Sequence, residues 1–342
     1  LQLGGTSQLG GGFLNYRAGR IQTAEFSGKV FSHTGDGLAA DMGLAAVTVS
    51  AFAVYAGLLQ SPANSIVMTL SDSVDQSTGI ADPAPAIGPL GSSRLIEGLS
   101  LSFPELFLEQ TLIVSGVFQQ DLRSTDRLTD GGGRLHSNYA GLGLSGPLAC
   151  DSRLFYQIYG YGIFGSVGDD SIIGGMGGGS LNFLMPQFLG SSMSLEVLYS
   201  SGDADSESFY EGNTDGSATQ FMPITASPAA VVFTPQQSNL VTVSGSWSLR
   251  PMAGSSSQGL RNIMLLLKPV AFFRSTTGPI SAAGVDSEAA SYYLGTEIDL
   301  MIMARPLSDL GLSLGGGLFI PSDQMTDSSV LGKISASVSL TL

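Results

Sequence analysis

The last ten residues read KISASVSLTL, and their two faces do not mix. Lys333, Ser335, Ser337, Ser339 and Thr341 fall on one side of an extended chain. Ile334, Ala336, Val338, Leu340 and Leu342 fall on the other. The same period of two recurs far from the terminus. Val241, Val243, Trp247 and Leu249 oppose Thr242, Ser244, Ser246, Ser248 and Arg250. Tyr292, Leu294, Ile298, Leu300, Ile302 and Ala304 oppose Gly295, Glu297, Asp299 and Arg305. Leu106, Leu108, Leu112, Val114 and Phe118 oppose Glu109, Thr111, Ser115 and Gln119. Such runs outlast the ordinary strand of about 5 or 6 residues. They reach the ~9–11 residues that a tilted strand needs to cross a bilayer.

Composition says what the apolar face meets. Only 12% of the 342 residues are charged and the mean hydropathy is +0.26, whereas soluble chains carry about 25% charge. No run of about 18 apolar residues exists, so a membrane-crossing helix is excluded. A soluble β-sandwich would put Lys and Glu on its wet face; here that face is Ser, Thr, Gly and Gln. The single cysteine, Cys150, excludes an intrachain disulfide framework and a cysteine zinc site. The opening LQLGGTSQLGGG reads as a processed or trimmed amino terminus.

Alternating stretches fall near 13–23, 37–43, 45–57, 93–103, 106–120, 134–146, 152–165, 171–185, 192–201, 239–250, 262–274, 291–305, 311–320 and 330–342. Long connections (58–92, 121–133, 202–238, 275–290, 321–329) take turns with short ones (Pro104–Glu105, 147–151, 186–191, 306–310). In hydrocarbon every backbone polar group needs a partner within the protein, so such strands must form a closed ring. The expected fold is therefore all-β: a transmembrane antiparallel up-and-down β-barrel of about 14 strands, within about 12 to 18. It is one domain over 1–342, with 1–12 as an amino-terminal segment and 58–92 and 202–238 as long extracellular loops. An even strand count places both termini on the short-turn, periplasmic side. SIIGGMGGGSLNF lacks the helix that a dinucleotide fingerprint needs, so its glycines read as strand residues.

The net charge of −14 is unevenly spread. Most of the 14 basic residues fall in expected strands, against about six of the 28 acidic ones. A charge facing lipid near the midplane costs roughly 2–4 kcal/mol, so wall charges should face the lumen. Parity agrees for Glu109, Glu196, Arg250, Lys268, Arg274, Glu297, Asp299, Arg305 and Lys333. Glu97 disagrees, since it shares parity with Leu95, Leu99 and Leu101. The candidate pore-lining set is Arg17, Arg20, Arg153, Glu196, Arg250, Lys268, Arg274, Glu297, Asp299, Arg305 and Lys333. Lys268, Arg274, Glu297, Asp299 and Arg305 form the expected constriction, because facing opposite charges select solutes by charge and dipole. Asp203, Asp205 and Glu207 could offer oxygens to Ca²⁺, but the run lacks EF-hand spacing and reads as a solvated acidic loop. ADPAPAIGP (81–89) reads as an irregular loop. Of two histidines, His136 points away from Ser137, and His33 lies in a loop near Asp36 without a serine partner. No catalysis is expected.

RAGRIQTAEFSG with DGLAADMGLAAVTVSAFAVYAG, EVLYSSGDADSESF with FMPI downstream, and YYLGTEIDLMIMARPLSDLGLSLGGGLFIPSD resemble the alginate-export type of outer-membrane barrel and related bacterial porins. The resemblance implies a monomeric barrel passing a polyanionic sugar along arginines, here Arg17, Arg20, Arg274 and Arg305. The terminal strand resembles the signal read by the outer-membrane assembly machinery, with Leu342 where that family most often has Phe. The expectation is a porin in the bacterial outer membrane, monomer or homotrimer, passing small or oligomeric hydrophilic solutes. Its partners are membrane lipid, the assembly machinery and the solute, with no cofactor and no nucleic acid. A plugged barrel for hydrophobic substrates and a surface adhesin acting through acidic loops are the alternatives.

Overall fold

The computed structural model describes residues 2–58, 65–69, 90–123, 133–149, 152–206, 213–282, 284–286, 290–307, 309–323, 325–326 and 328–340. Among the described residues, sixteen strands make one sheet. They are β1 Gln2–Leu9, β2 Gly12–Ala24, β3 Ser32–Leu44, β4 Val47–Tyr55, β5 Arg94–Phe107, β6 Gln110–Asp121, β7 Leu135–Pro147 and β8 Leu154–Val167. There follow β9 Asp170–Met185, β10 Ser191–Ser200, β11 Ser217–Ala218, β12 Val241–Leu249, β13 Met264–Phe273, β14 Tyr293–Leu307, β15 Leu310–Pro321 and β16 Leu331–Leu340. Each pairs antiparallel with the next along the chain, except that β11 steps aside to lie parallel to β9 and β10 pairs directly with β12. The all-β, up-and-down expectation holds.

Each of the fourteen expected stretches carries a strand. The segment 1–12 carries a further one, β1, paired from Gln2↔Gly19 to Leu9↔Gly12. QLGGTSQL has no apolar alternation, so its extended form comes from the ladder to β2 and not from its own side chains. With fifteen strands in the antiparallel path, Gln2 lies at the long-loop rim and Leu340 at the short-turn rim, correcting the expected placement of both ends on one side. The expected turn at Pro104–Glu105 is instead an irregularity inside β5, with Glu105 at φ 54°. The turn itself is Leu108–Glu109, both left-handed at φ 46° and 62°, which suits the twist of a two-residue hairpin. Glu109 is thus a turn residue. Links 168–169 and 250–263 break the long-and-short alternation, the first short on the long-loop rim and the second long on the other.

Burial settles which face is which. Leu99, Leu142, Ile298, Leu300, Leu314 and Leu318 are exposed, while Ser115, Ser137, Thr242, Ser244, Glu297 and Asp299 on the opposite face are buried. This polarity is inverted relative to a water-soluble sheet, as a lipid-facing wall requires. On the inner face, Ser192–Ser248 and Ser194–Ser246 bond hydroxyl to hydroxyl across β10 and β12 at 2.8 and 2.6 Å.

The inner face is not uniformly polar, which departs from expectation. Toward the long-loop rim, Ile21, Val54, Ile96, Val117, Tyr139 and Ile163 form an apolar cluster. Phe221, Met222 and Ile224, from the link between β10 and β12, complete it. Burying each such side chain contributes roughly 1.5–3 kcal/mol. A second cluster of Phe233, Leu240, Val270, Phe272, Leu294 and Phe319 lies against β12–β15.

Candidate functional site

Residues 221–233, from the connection between β10 and β12, enter the interior, and the wall charges explain how they are held. Glu297 is fully buried on the inner face of β14. Its carboxylate accepts three consecutive backbone N–H groups, from Val231 and Val232 at 2.8 and 2.6 Å and from Phe233 at 2.7 Å. Hydrogen bonds to a charged acceptor are about twice as strong as neutral ones. Lys268 Nζ donates to the Ala229 carbonyl at 2.6 Å, and Lys333 Nζ donates to the Val231 carbonyl at 3.2 Å. Phe233 then stacks on Phe319 at 4.4 Å between ring centres. Residues 229–233 are therefore a strap tied to β13, β14 and β16. Asp299 neighbours this clamp, faces Lys268 in register, and leaves its buried Oδ1 unbonded. Gly317 makes room: a Cβ there would sit on Asp299 Oδ1 and within 2.9 Å of Glu297 Oε1 and Val232 Cγ2.

A second intrusion comes from residues 25–31. Glu25 gathers the N–H groups of Ser27, Lys29 and Val30, and the Tyr161 hydroxyl donates to it at 2.6 Å. This turn carries Lys29 to Glu196 of β10 at 3.1 Å. Lys29 lies between strands and escaped the parity argument; the polar spacing of EFSGKVF, with Gly28 at φ 66°, is the only local sign of a tight turn.

The eleven expected lining residues divide by surroundings. Arg17 faces inward beside Asp41 at 3.7 Å. The two line a cavity of about 350 Å³ with Ser50, Ser100, Ser102 and Ser115. Arg250 and Arg305 share a cavity of about 500 Å³ near the short-turn rim with Asn262, Ser313, Ser337 and Ser339. Lys268 and Asp299 line a third, of about 230 Å³, whose other side is Ala229 and Val231 of the strap. Three residues depart from expectation. Arg20 stands on the outer face with Leu38, bound to Asp36 through two hydrogen bonds of 3.2 and 2.7 Å. Arg153 sits at the short-turn rim, bonded to the Gln187 side chain. Arg274 is buried and donates to the carbonyls of Gly278, Asp286 and Ser291, so it holds the β13–β14 link and does not line the lumen. Glu97, the parity exception, does face outward, paired in register with Ala53 and Phe118.

In the acidic loop, Asp203 and Asp205 bond to groups of the loop itself. Asp203 accepts from Asp205 N, Asn213 Nδ2 and Thr219 N, each at 2.9 Å. Asp205 accepts from the Thr214 N and hydroxyl and from Asp215 N. Those donors hold the Asp205 carboxyl below its ordinary range, the Thr214 hydroxyl most of all. Glu207 lies outside the described residues, and among these no cluster of three metal-ligating side chains occurs. The stretch 81–89, Cys150 and Leu342 also lie outside them. His33 is on β3, not in a loop, and its Nδ1 lies 2.8 Å from the Ser65 hydroxyl, a partner invisible in the sequence. His136 and Ser137 do point to opposite faces, with Ser137 buried.

No protein-family model and no curated protein matches the chain. Solved structures do. Pseudomonas aeruginosa OccK10 (OpdN) superposes with a TM-score of 0.56 at 12% identity, over 98% of this chain and 83% of that one. Pseudomonas aeruginosa OccK11 (OpdR) gives 0.54 at 12%, over 95% and 75%. The outer membrane protein OpdK from Pseudomonas aeruginosa gives 0.53 at 11%, over 99% and 79%. At this identity the likeness is one of fold. The chain has the all-β, up-and-down fold of these outer-membrane barrels.

Proposed function

We propose that the chain is an outer-membrane channel for passive passage of small hydrophilic solutes, with the long-loop rim facing outside the cell and the short turns facing the periplasm. The observation that carries this reading is the pairing of an apolar outer face with serine- and charge-lined cavities on the inner one. An ion or polar solute crossing hydrocarbon needs such a lining to replace its hydration. Short turns on the periplasmic side, and insertion by the outer-membrane assembly machinery, follow the general habit of such barrels.

A polyanionic sugar is the finer solute class implied by the alginate-export resemblance. Two observations argue for smaller solutes. Of the four matching arginines only Arg17 and Arg305 face the lumen, and the cavities that the strap and the 25–31 turn border are only about 230 and 350 Å³. Planar-bilayer recording tests the reading: purified protein should give discrete ion steps. A correctly folded preparation that leaves the bilayer silent would rule out a channel and favour the adhesin.

A further inference from the structure

The strap is fastened by one carboxylate, and that carboxylate belongs to the wall. Residues 228–233, PAAVVF, contain no titratable side chain, so every charge holding them comes from elsewhere. Glu297 supplies the acceptor for three N–H groups, while Lys268 and Lys333 supply donors to two carbonyls. β15 contributes no charge at this point, only the vacancy over Gly317 into which both Glu297 and Asp299 fit. An ordinary loop rests on a wall by burying apolar area. This one is gripped through its main chain as well, beside the packing of Ala229, Ala230, Val232 and Phe233 on the second apolar cluster. Ala229 and Val231 also border the cavity lined by Lys268, Asp299 and Ser335. Nearer the short-turn rim on the same strands lies the larger cavity of Arg250 and Arg305.

We propose that Ala229–Phe233 is a gate across the β12–β16 side of the lumen, latched by Glu297, with Lys268 and Lys333 steadying it and Gly317 providing the seat. The proposal rests on the channel reading, which it sharpens by naming the residue that sets the aperture. Glu297 uses both its oxygens: Oε1 takes Val231 and Val232, and Oε2 takes Phe233. A glutamine of the same size has one acceptor oxygen and turns an NH₂ donor toward at least one N–H, so the grip is lost while the volume is kept.

The test compares wild type with Glu297→Gln and Gly317→Ala in detergent and in planar bilayers, each first shown to fold by its heat-dependent shift on gels. In Glu297→Gln the amides of 231–233 should exchange hydrogen at least about tenfold faster, with strand amides of β14 unchanged. Conductance or open time should rise about twofold or more. Gly317→Ala, whose methyl displaces the carboxylates, should move both readouts the same way. Unchanged exchange at 231–233 overturns the latch. Faster exchange with a conducting wild type and unaltered conductance overturns the gate. Protein that conducts in neither form overturns the channel reading itself, a separate failure recognisable because wild type is silent too.

Discussion

Asp121 ends β6 fully enclosed, with Arg94 at 3.0 Å, Arg123 at 2.6 Å and the Leu135 N–H at 3.2 Å. Removing one member of a buried charge network strands the others, which typically costs 3–5 kcal/mol. Asp121→Ala should therefore destabilise the folded barrel by that order, seen as a fall in the temperature at which the compact gel band is lost. Arg274 and Arg305 separate by the same logic. Arg274→Glu should damage folding, because three carbonyls lose their donor and a carboxylate is buried among them. Arg305→Glu borders an open cavity and should leave stability within about 0.5 kcal/mol, while shifting the reversal potential toward cations. Asp205 carries a pH prediction. Its carboxyl is depressed in the folded loop, so its contribution is complete above the ordinary value of about 3.9 and fades as pH falls through the lower folded value. Protease sensitivity of the 203–219 loop should stay flat from neutral pH down to about 5, then rise under strong acid; sensitivity that rises already at pH 6 would contradict this.

At the scale of elements, the outer face of β14 offers a depth test. Leu300 lies midway along it and is exposed to lipid, whereas Ser337 on β16 faces inward. Leu300→Arg should cost about 2–4 kcal/mol, and Ser337→Arg should instead alter conductance. The strands themselves were largely legible, because a wall between lipid and lumen imposes a period of two that few other arrangements sustain for ten residues or more. β1 was not, since Gly4 and Gly5 interrupt its pattern and its order comes from pairing with β2. The interior was less legible still. Parity correctly turned Glu297 and Lys268 inward but could not show that their partners are main-chain groups some 40 to 65 residues away in sequence. Nor could it foresee that FMPI would enter the lumen, as those four residues carry no periodicity at all. Arg20 misled because its parity was never tested against its neighbours: Tyr16, Ala18 and Gln22 share its face, and Asp36 satisfies it there.

For the molecule as a whole, the outward array of leucine, isoleucine and valine should make it depend on an amphiphile. The prediction is that it migrates as a compact, heat-shifted species in detergent and aggregates when detergent is removed; a dispersed monomer in plain buffer would contradict the fold's inverted polarity. The two acidic residues of β5 then acquire a meaning beyond exceptions to a pattern. Glu97 faces outward toward the long-loop rim, and Glu105 is exposed at the irregularity near the opposite one. Neither tolerates hydrocarbon, so together they act as two waterlines on one strand. Eight residues at about 3.3 Å each, inclined at about 40°, separate them by roughly 20 Å of membrane depth. That is a shallow belt, close to the ~25 Å apolar band of such barrels. A thick bilayer would have to pinch inward around β5, and a thin one fits without strain.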